Sequence, residues 1–319
     1  MKRFVAMLMA LVCLCTMVPM GMAEEPNPIP VLSKDEITPT PKGIHHYMLV
    51  CIDSWAADLN KSGNHTDGMI LVTVDEYANR VMLTSFIRDM LIQRPDGDFG
   101  RLNNVLDYFG RGDGGIEALV NTLNTHFDLE IEKYIVVDFR QVENIINAIG
   151  GVDIEITARE ANYLRNYPLS ASSTTPALSG GGTYHFTGHA AVIYMRIRKV
   201  ANIDGETQDV GRTRRARTVL TTIADSLKDI TYDEAVALLN VVLENTVTTN
   251  MSAAEIMDAL DLAMKMKGTP IESIRMPLDG TYEPMPVASM ATQQIDFIAN
   301  REALREFLVD PFVLVEDDE

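Results

Sequence analysis

The alternation of strand-like and helix-like segments along this chain predicts an α/β fold. Apolar, β-branched runs at 44–52 and 68–74 read as buried strands, and 80–86 reads as a third. Helical periodicity follows at 115–127, then a strand at 134–137, a helix at 140–149, and a strand at 152–156 set off by Gly150-Gly151. Thr187 is placed to cap a helix running through Tyr194 into Arg196, and 210–227 reads as a further helix with Val219, Leu220 and Ile223 inward. Beyond Asp229 the pattern is helical at 232–243, 253–266 and 290–308, with one strand at 271–276, which predicts a mainly helical C-terminal extension over 229–319 packed on the core. No internal repeat interrupts this order.

The ends behave differently. Residues 1–23 carry Lys2 and Arg3, an apolar run from Phe4, and small residues Gly21 and Ala23 suited to cleavage, so they read as a signal peptide cut after Ala23 or retained as an N-terminal anchor. Either outcome places the remainder outside the cytoplasm. Residues 24–43 contain Pro26, Pro28, Pro30, Pro39 and Pro41, a composition that favours an extended linker. The net charge is −18; the 27 basic residues less Lys2 and Arg3, against 45 acidic ones, leave −20 without the leader. A general nucleic-acid-binding surface is excluded by that balance. Cys13 and Cys15 belong to the leader, so Cys51 stands alone in YMLVCI, without an intrachain disulfide partner and with the surroundings of a core residue.

Against this acidic background, RIRKVANIDGETQDVGRTRRAR concentrates Arg196, Arg198, Lys199, Arg212, Arg214, Arg215 and Arg217 within 196–217. Guanidinium groups fork onto phosphate oxygens, so the cluster suits a phosphate or pyrophosphate ligand, the plainer reading being a solvated basic face. Asp53 ends the first strand and Asp67 precedes the second, which brings both carboxylates to one sheet edge if those strands are neighbours. Such a pair suits Mg²⁺ or Mn²⁺ and a substrate phosphate, or else the two acids simply make turns. Arg88, just after the third strand, adds a cation or forms a surface ion pair.

Six fragments in series carry a family resemblance: LVCID around Asp53, HTDGMILVTV around Asp67, LTSFIRDM around Arg88, RLNNVLDYFG at 101–110, YIVVDFRQVENIINAIGGVDIEI at 134–156, and YMRIRK with DVGRTRRAR. Together they resemble the LytR-CpsA-Psr family of cell-envelope proteins, and IRMPLDGTY at 274–282 resembles clostridial-type members. The resemblance implies a central mixed β-sheet flanked by helices, with the catalytic core at 44–228. It implies an exported phosphotransferase that moves a glycopolymer from a polyprenyl-pyrophosphate carrier onto peptidoglycan at the outer face of the cytoplasmic membrane, releasing polyprenyl phosphate. Carried over by motif, Asp53 and Asp67 hold Mg²⁺, and Arg88, Arg196 and Arg198 grip the pyrophosphate. Asp209 and Arg212 occupy later acidic and basic motif positions, Arg212 and, in a supporting role, the further motif arginine Arg215 also bind the pyrophosphate, and Asp67 or Asp209 accepts the proton of the attacking hydroxyl. A groove for the lipid tail is implied as well, with Val136, Ile145, Ile149, Val192 and Ile193 as candidates that equally suit a plain core.

Two departures qualify the match. His65 stands where the family commonly has Arg, and still donates hydrogen bonds toward the pyrophosphate; Ala216 stands where Gln is common and contributes no polar contact. Arg214 or Arg217 is placed to compensate, and 203–208 forms a longer loop before DVGR. These changes motivate two alternatives: a noncatalytic polyprenyl-phosphate-binding or regulatory protein, or a polyprenyl-pyrophosphate hydrolase. No Walker loop or G-x-S-x-G elbow is present, and His185 with His189 lacks a third zinc ligand.

Overall fold

A computed structural model describes residues 26, 28–109, 113–167, 178–287 and 290–309; the leader expected at 1–23 and the terminal EDDE lie outside the described residues. Strands β1 (Ile44–Ile52), β2 (Thr66–Asp75) and β3 (Arg80–Phe86) form an antiparallel meander. A small hairpin of β4 (Leu91–Gln93) and β5 (Phe99–Arg101) precedes helices α1 (Val105–Tyr108) and α2 (Asp113–Phe127). The chain continues through β6 (Lys133–Asp138), α3 (Phe139–Ala148), β7 (Val152–Ile156), α4 (Ala158–Leu164), β8 (Gly182–Phe186), α5 (Gly188–Met195) and α6 (Gln208–Ser226). It ends with α7 (Tyr232–Glu244), β9 (Thr248–Thr249), α8 (Ala253–Met266), β10 (Ile271–Met276), β11 (Tyr282–Pro284), β12 (Gln293–Ile295) and α9 (Phe297–Leu308).

The central sheet has the order β10-β3-β2-β1-β6-β9 and is mixed, since β6 runs parallel to β1 and β10 parallel to β3. Period-two alternation sorts its side chains between two helical layers. Met48, Val50 and Ile52 of β1, with Met69 and Leu71 of β2, pack on Ile116, Leu119 and Leu123 of α2 and on Leu304 and Leu308 of α9. Leu49 and Cys51, with Ile70 and Val72, face the opposite layer, where α6 runs. A second core lies beside it, built by Val152, Ile154 and Phe186 of the β7–β8 pair with Leu164, Ala191 and Tyr194.

Four details extend or change the sequence reading. The C-terminal part, expected as a helical extension packed on the core, also supplies β10 and β9, the two edges of the central sheet. The helix expected over 290–308 starts only at Phe297; 293–295 pair with β11, and the Asp296 carboxylate caps α9 by accepting from the Ala299 N–H at 3.0 Å. Thr187 does occupy the N-cap of α5, but without a side-chain cap; Asn147 Oδ1 accepts from the Gly188 N–H at 2.8 Å instead. The proline-rich segment is extended yet docked: Leu32 N–H donates to Thr125 O at 3.0 Å, and Thr38 and Thr40 N–H donate to Asp128 and Glu130 carboxylates at 2.7 Å.

Candidate functional site

Asp67 owes its direction to an irregularity between β1 and β2. Cys51 pairs with Gly68 while Ile52 pairs with Thr66, so Asp67 is the extra residue of a bulge, a device that turns a side chain off the regular pleat. Gly68 permits the close approach: a Cβ there would stand 2.9 Å from the Cys51 Cβ. Asp53 follows β1 immediately, its N–H donating to His65 O at 2.9 Å. The two acids do share one edge, as the strand reading required.

Arg88 Nη1 donates to both oxygens of Asp67, at 2.7 and 2.8 Å, and its Nε donates to Asp209 Oδ2 at 3.0 Å. Arg212, from the first turn and a half of α6, binds Asp67 from the other side, and Arg198 Nε lies 3.1 Å from Asp209 Oδ1. Arg196, just past α5, reaches Asp53 at 3.5 Å and lies over the Phe139 ring at 4.5 Å. Residues more than a hundred positions apart thus converge, with four guanidinium groups against three carboxylates.

The electrostatics separate the two acids. Burial alone would raise the Asp67 carboxyl, but Arg212 and Arg88 outweigh it and hold that carboxyl below its usual range. At Asp53, burial and then the Asp67 charge raise the carboxyl, with Arg196 opposing. Arg212 Nε and Nη2 and Arg198 Nε are buried without hydrogen-bond acceptors among the described residues, although Asp209 lies near both side chains. Such donors are costly to leave unmet, which suits an anionic ligand. Asp53 and Asp67 are the residues that would hold a hard divalent cation: the Asp67 charge disfavours that of Asp53, Arg88 and Arg212 already engage both Asp67 oxygens, and no third His, Cys, Asp or Glu joins the pair among the described residues. A two-carboxylate set is what Mg²⁺ uses when water and phosphate complete its shell.

This polar group forms the mouth of a cavity of about 260 Å³. Behind Asp53, Asp67, Arg88, Arg196, Arg198 and Arg212 the walls become apolar, with Leu49 and Ile70 from the sheet and Val142, Val192, Leu220 and Ile223 from the helices. Of the groove residues named from sequence, Val192 lines this space. Val136 packs on the opposite face of the sheet and Ile146-neighbouring Ile149 and Ile193 belong to the second core, while Ile145 is not in the wall. Cys51 lines the cavity rather than a closed core, and burial pushes its thiol up to about 12, which removes it as a nucleophile.

Other site residues are placed differently from the motif expectation. Arg215 is fully buried, with Nε on Glu160 Oε1 at 2.7 Å and its two other nitrogens on Ile197 O and Val200 O at 2.9 Å, so it braces the 197–200 turn and cannot reach pyrophosphate. The His65 side chain is exposed and outside the cavity wall; its backbone carbonyl is what serves the site. Ala216 lines the cavity, and neither arginine beside it compensates: Arg214 pairs with Asp204 at 2.9 Å, and Arg217 is buried against Ser85. His185 and His189 separate, one on Asp153 at 2.8 Å and the other on Glu143 at 3.1 Å. The sequence reading missed the Asp89–Arg101 ion pair, whose Asp89 lies 3.5 Å from Arg88 Nε; the only signal was an acid directly after the motif arginine.

The family model described as the LytR_cpsA_psr family matches residues 41–304. Biofilm regulatory protein A of Streptococcus mutans is 25% identical over 185 residues, covering 55% of this chain and 42% of that protein. The polyisoprenyl-teichoic acid–peptidoglycan teichoic acid transferase TagV of Bacillus subtilis is 23% identical over 194 residues, covering 61% of this chain and 46% of that protein. The match therefore spans less than half the length of these two curated relatives. Among solved structures, TagT bound to LIIa-WTA superposes with a TM-score of 0.64 at 18% identity, covering 87% of this chain and 96% of that one, a likeness of fold.

Proposed function

The chain belongs to the LytR-CpsA-Psr family, and on that premise we propose that it transfers a glycopolymer from a polyprenyl-pyrophosphate carrier to peptidoglycan, on the outer side of the cytoplasmic membrane. One observation carries the reading: a cluster of Arg88, Arg196, Arg198 and Arg212 with Asp53 and Asp67 opens directly onto an apolar cavity. A diphosphate with a hydrocarbon tail matches both halves at once, whereas a soluble nucleotide would leave the apolar wall without a partner. TagV of Bacillus subtilis, similar to this chain at 23% identity, is a polyisoprenyl-teichoic acid–peptidoglycan teichoic acid transferase, which agrees with that chemistry.

The arginines are held ready by carboxylates, so they need little reorganisation to meet the ligand. Arg88 and Arg212 turn about Asp67, and Arg198 about Asp209, presenting their remaining N–H groups to phosphoryl oxygens. Four guanidiniums against three carboxylates leave a small positive excess for a doubly anionic diphosphate diester, and Mg²⁺ held by Asp53 and Asp67 would supply the missing neutralisation and polarise a phosphoryl oxygen. Attack by a peptidoglycan hydroxyl forms the new phosphodiester and expels polyprenyl phosphate. Asp67, engaged by two arginines, is a weak proton acceptor for the attacking hydroxyl.

Incubating the purified chain with a polyprenyl-pyrophosphate-linked glycan, a peptidoglycan acceptor and Mg²⁺ tests this. Release of polyprenyl phosphate only when all three are present supports the transferase. The apolar Ala216 and the engaged Arg214 and Arg217 favour a second reading, a carrier-binding protein without turnover. That protein would retain lipid and release nothing, and acceptor-independent release would indicate a hydrolase.

A further inference from the structure

Trp55 is the only tryptophan of the chain and sits two residues after Asp53, outside the wall of the cavity. Its ring lies nearly parallel to His189, with centroids 5.4 Å apart and planes 28° apart, and meets Phe139 edge-on at 5.6 Å. Phe139 in turn carries the Arg196 guanidinium at 4.5 Å and does line the cavity. Phe139, Trp55 and His189 therefore form one aromatic group beside Arg196, with His189 against one face of the indole. The backbone supports it, because Phe139 N–H donates to Ser54 O at 2.9 Å and Arg140 Nε donates to Trp55 O at 3.0 Å, while Glu143 holds His189 at 3.1 Å.

Trp55 remains partly exposed, and its indole N–H makes no hydrogen bond to another described residue. An aromatic plane backed by a second ring, with a spare N–H at its edge, has the chemistry that recognises a pyranose, whose axial C–H face packs on the ring while its hydroxyls accept from the N–H. The position is the second argument. If lipid fills the cavity and diphosphate occupies the arginine mouth, the next group along the molecule emerges beside Asp53, where Trp55 stands one ring out from Phe139.

We propose that Trp55, backed by His189 and Phe139, is a sugar-binding platform that stacks on the pyranose ring next to the diphosphate. The inference rests on the diphosphate reading above and deepens it. The ring is either the first sugar of the donor or the sugar of the acceptor, and both would present the same C–H face.

Because Trp55 is the sole tryptophan, its fluorescence reports the contact directly. The full chain with Mg²⁺ is titrated with geranyl diphosphate, with geranyl-diphospho-N-acetylglucosamine, and with the disaccharide of N-acetylglucosamine and N-acetylmuramic acid. Affinities of the two lipids are measured by calorimetry for wild type, Trp55→Ala and Trp55→Phe. A change in Trp55 emission with the sugar-bearing lipid but not with geranyl diphosphate assigns the donor sugar, and a change with the disaccharide assigns the acceptor sugar. Trp55→Ala is expected to weaken the sugar-bearing lipid about tenfold relative to geranyl diphosphate, with Trp55→Phe recovering most of the loss through its remaining ring. Equal affinity of wild type and Trp55→Ala for the sugar-bearing lipid, with unchanged emission in every titration, overturns the platform. Failure of geranyl diphosphate to bind wild type overturns the diphosphate reading and the platform with it.

Discussion

Asp67 is the anchor of two arginines, so removing its charge tests the site at a single atom pair. Asp67→Asn keeps the shape but leaves Arg88 and Arg212 without their counter-charge; turnover of lipid-linked glycan is expected to fall by about 10²-fold or more, measured as polyprenyl phosphate released. Arg215 looks identical in the sequence but answers a different measurement. Arg215→Ala leaves Glu160 buried and unpaired, and urea unfolding is expected to show a loss of about 3–5 kcal/mol. The different roles of Arg212 and Arg215 were not legible from residue type: RTRRAR gives no sign that Arg212 faces the cavity while Arg215, one helical turn on, faces the 197–200 turn. Asp53, Asp67, Arg88, Arg196 and Arg198 were legible, because charged groups at strand and helix ends project where the sheet opens.

The bulge of β2 is the element that aims the acids. Gly68→Val would drive its side chain into Cys51 beside the bulge, and the strands must part or the bulge must shift. The expected result is a destabilisation of about 1–3 kcal/mol in thermal unfolding, together with weakened Mg²⁺ binding seen by calorimetry. The long strands and helices could be read from apolar periodicity: β1 buries alternate residues Met48, Val50 and Ile52, and α2 buries Ile116, Leu119 and Leu123 at helical spacing. The bulge could not, because a single extra residue leaves no periodic trace. Nor could β4, β5, β9, β11 and β12, which have two or three residues each, too few for a periodic signal, and are defined by their pairing. The helix expected from residue 290 failed for that reason: Gln293–Ile295 is claimed by β11 before the Asp296 cap lets α9 begin.

Across the whole molecule, the sheet separates a structural layer from a ligand layer, and each has its own signature. In the structural layer, His126 is buried between α2 and α9, donating from Nδ1 to Thr122 O at 2.7 Å and accepting the Gln93 N–H at Nε2. Burial pushes its pKa down to about 4 from the ordinary 6.5. As pH falls, the unfolded chain binds this proton first, so the stability contribution is complete above about 6.5 and is lost progressively toward about 4. On the order of 3 kcal/mol should disappear from the unfolding free energy over that window, and His126→Gln should flatten the profile. In the ligand layer, polar mouth and apolar cavity must act on one molecule. The affinities of geranylgeranyl pyrophosphate and of inorganic pyrophosphate, measured with Mg²⁺ for wild type, Arg88→Ala and Ile223→Trp, test that union most directly. The account predicts that Arg88→Ala weakens both ligands, whereas Ile223→Trp, which fills the cavity, weakens only the prenylated one; prenyl affinity unaffected by either change would contradict it.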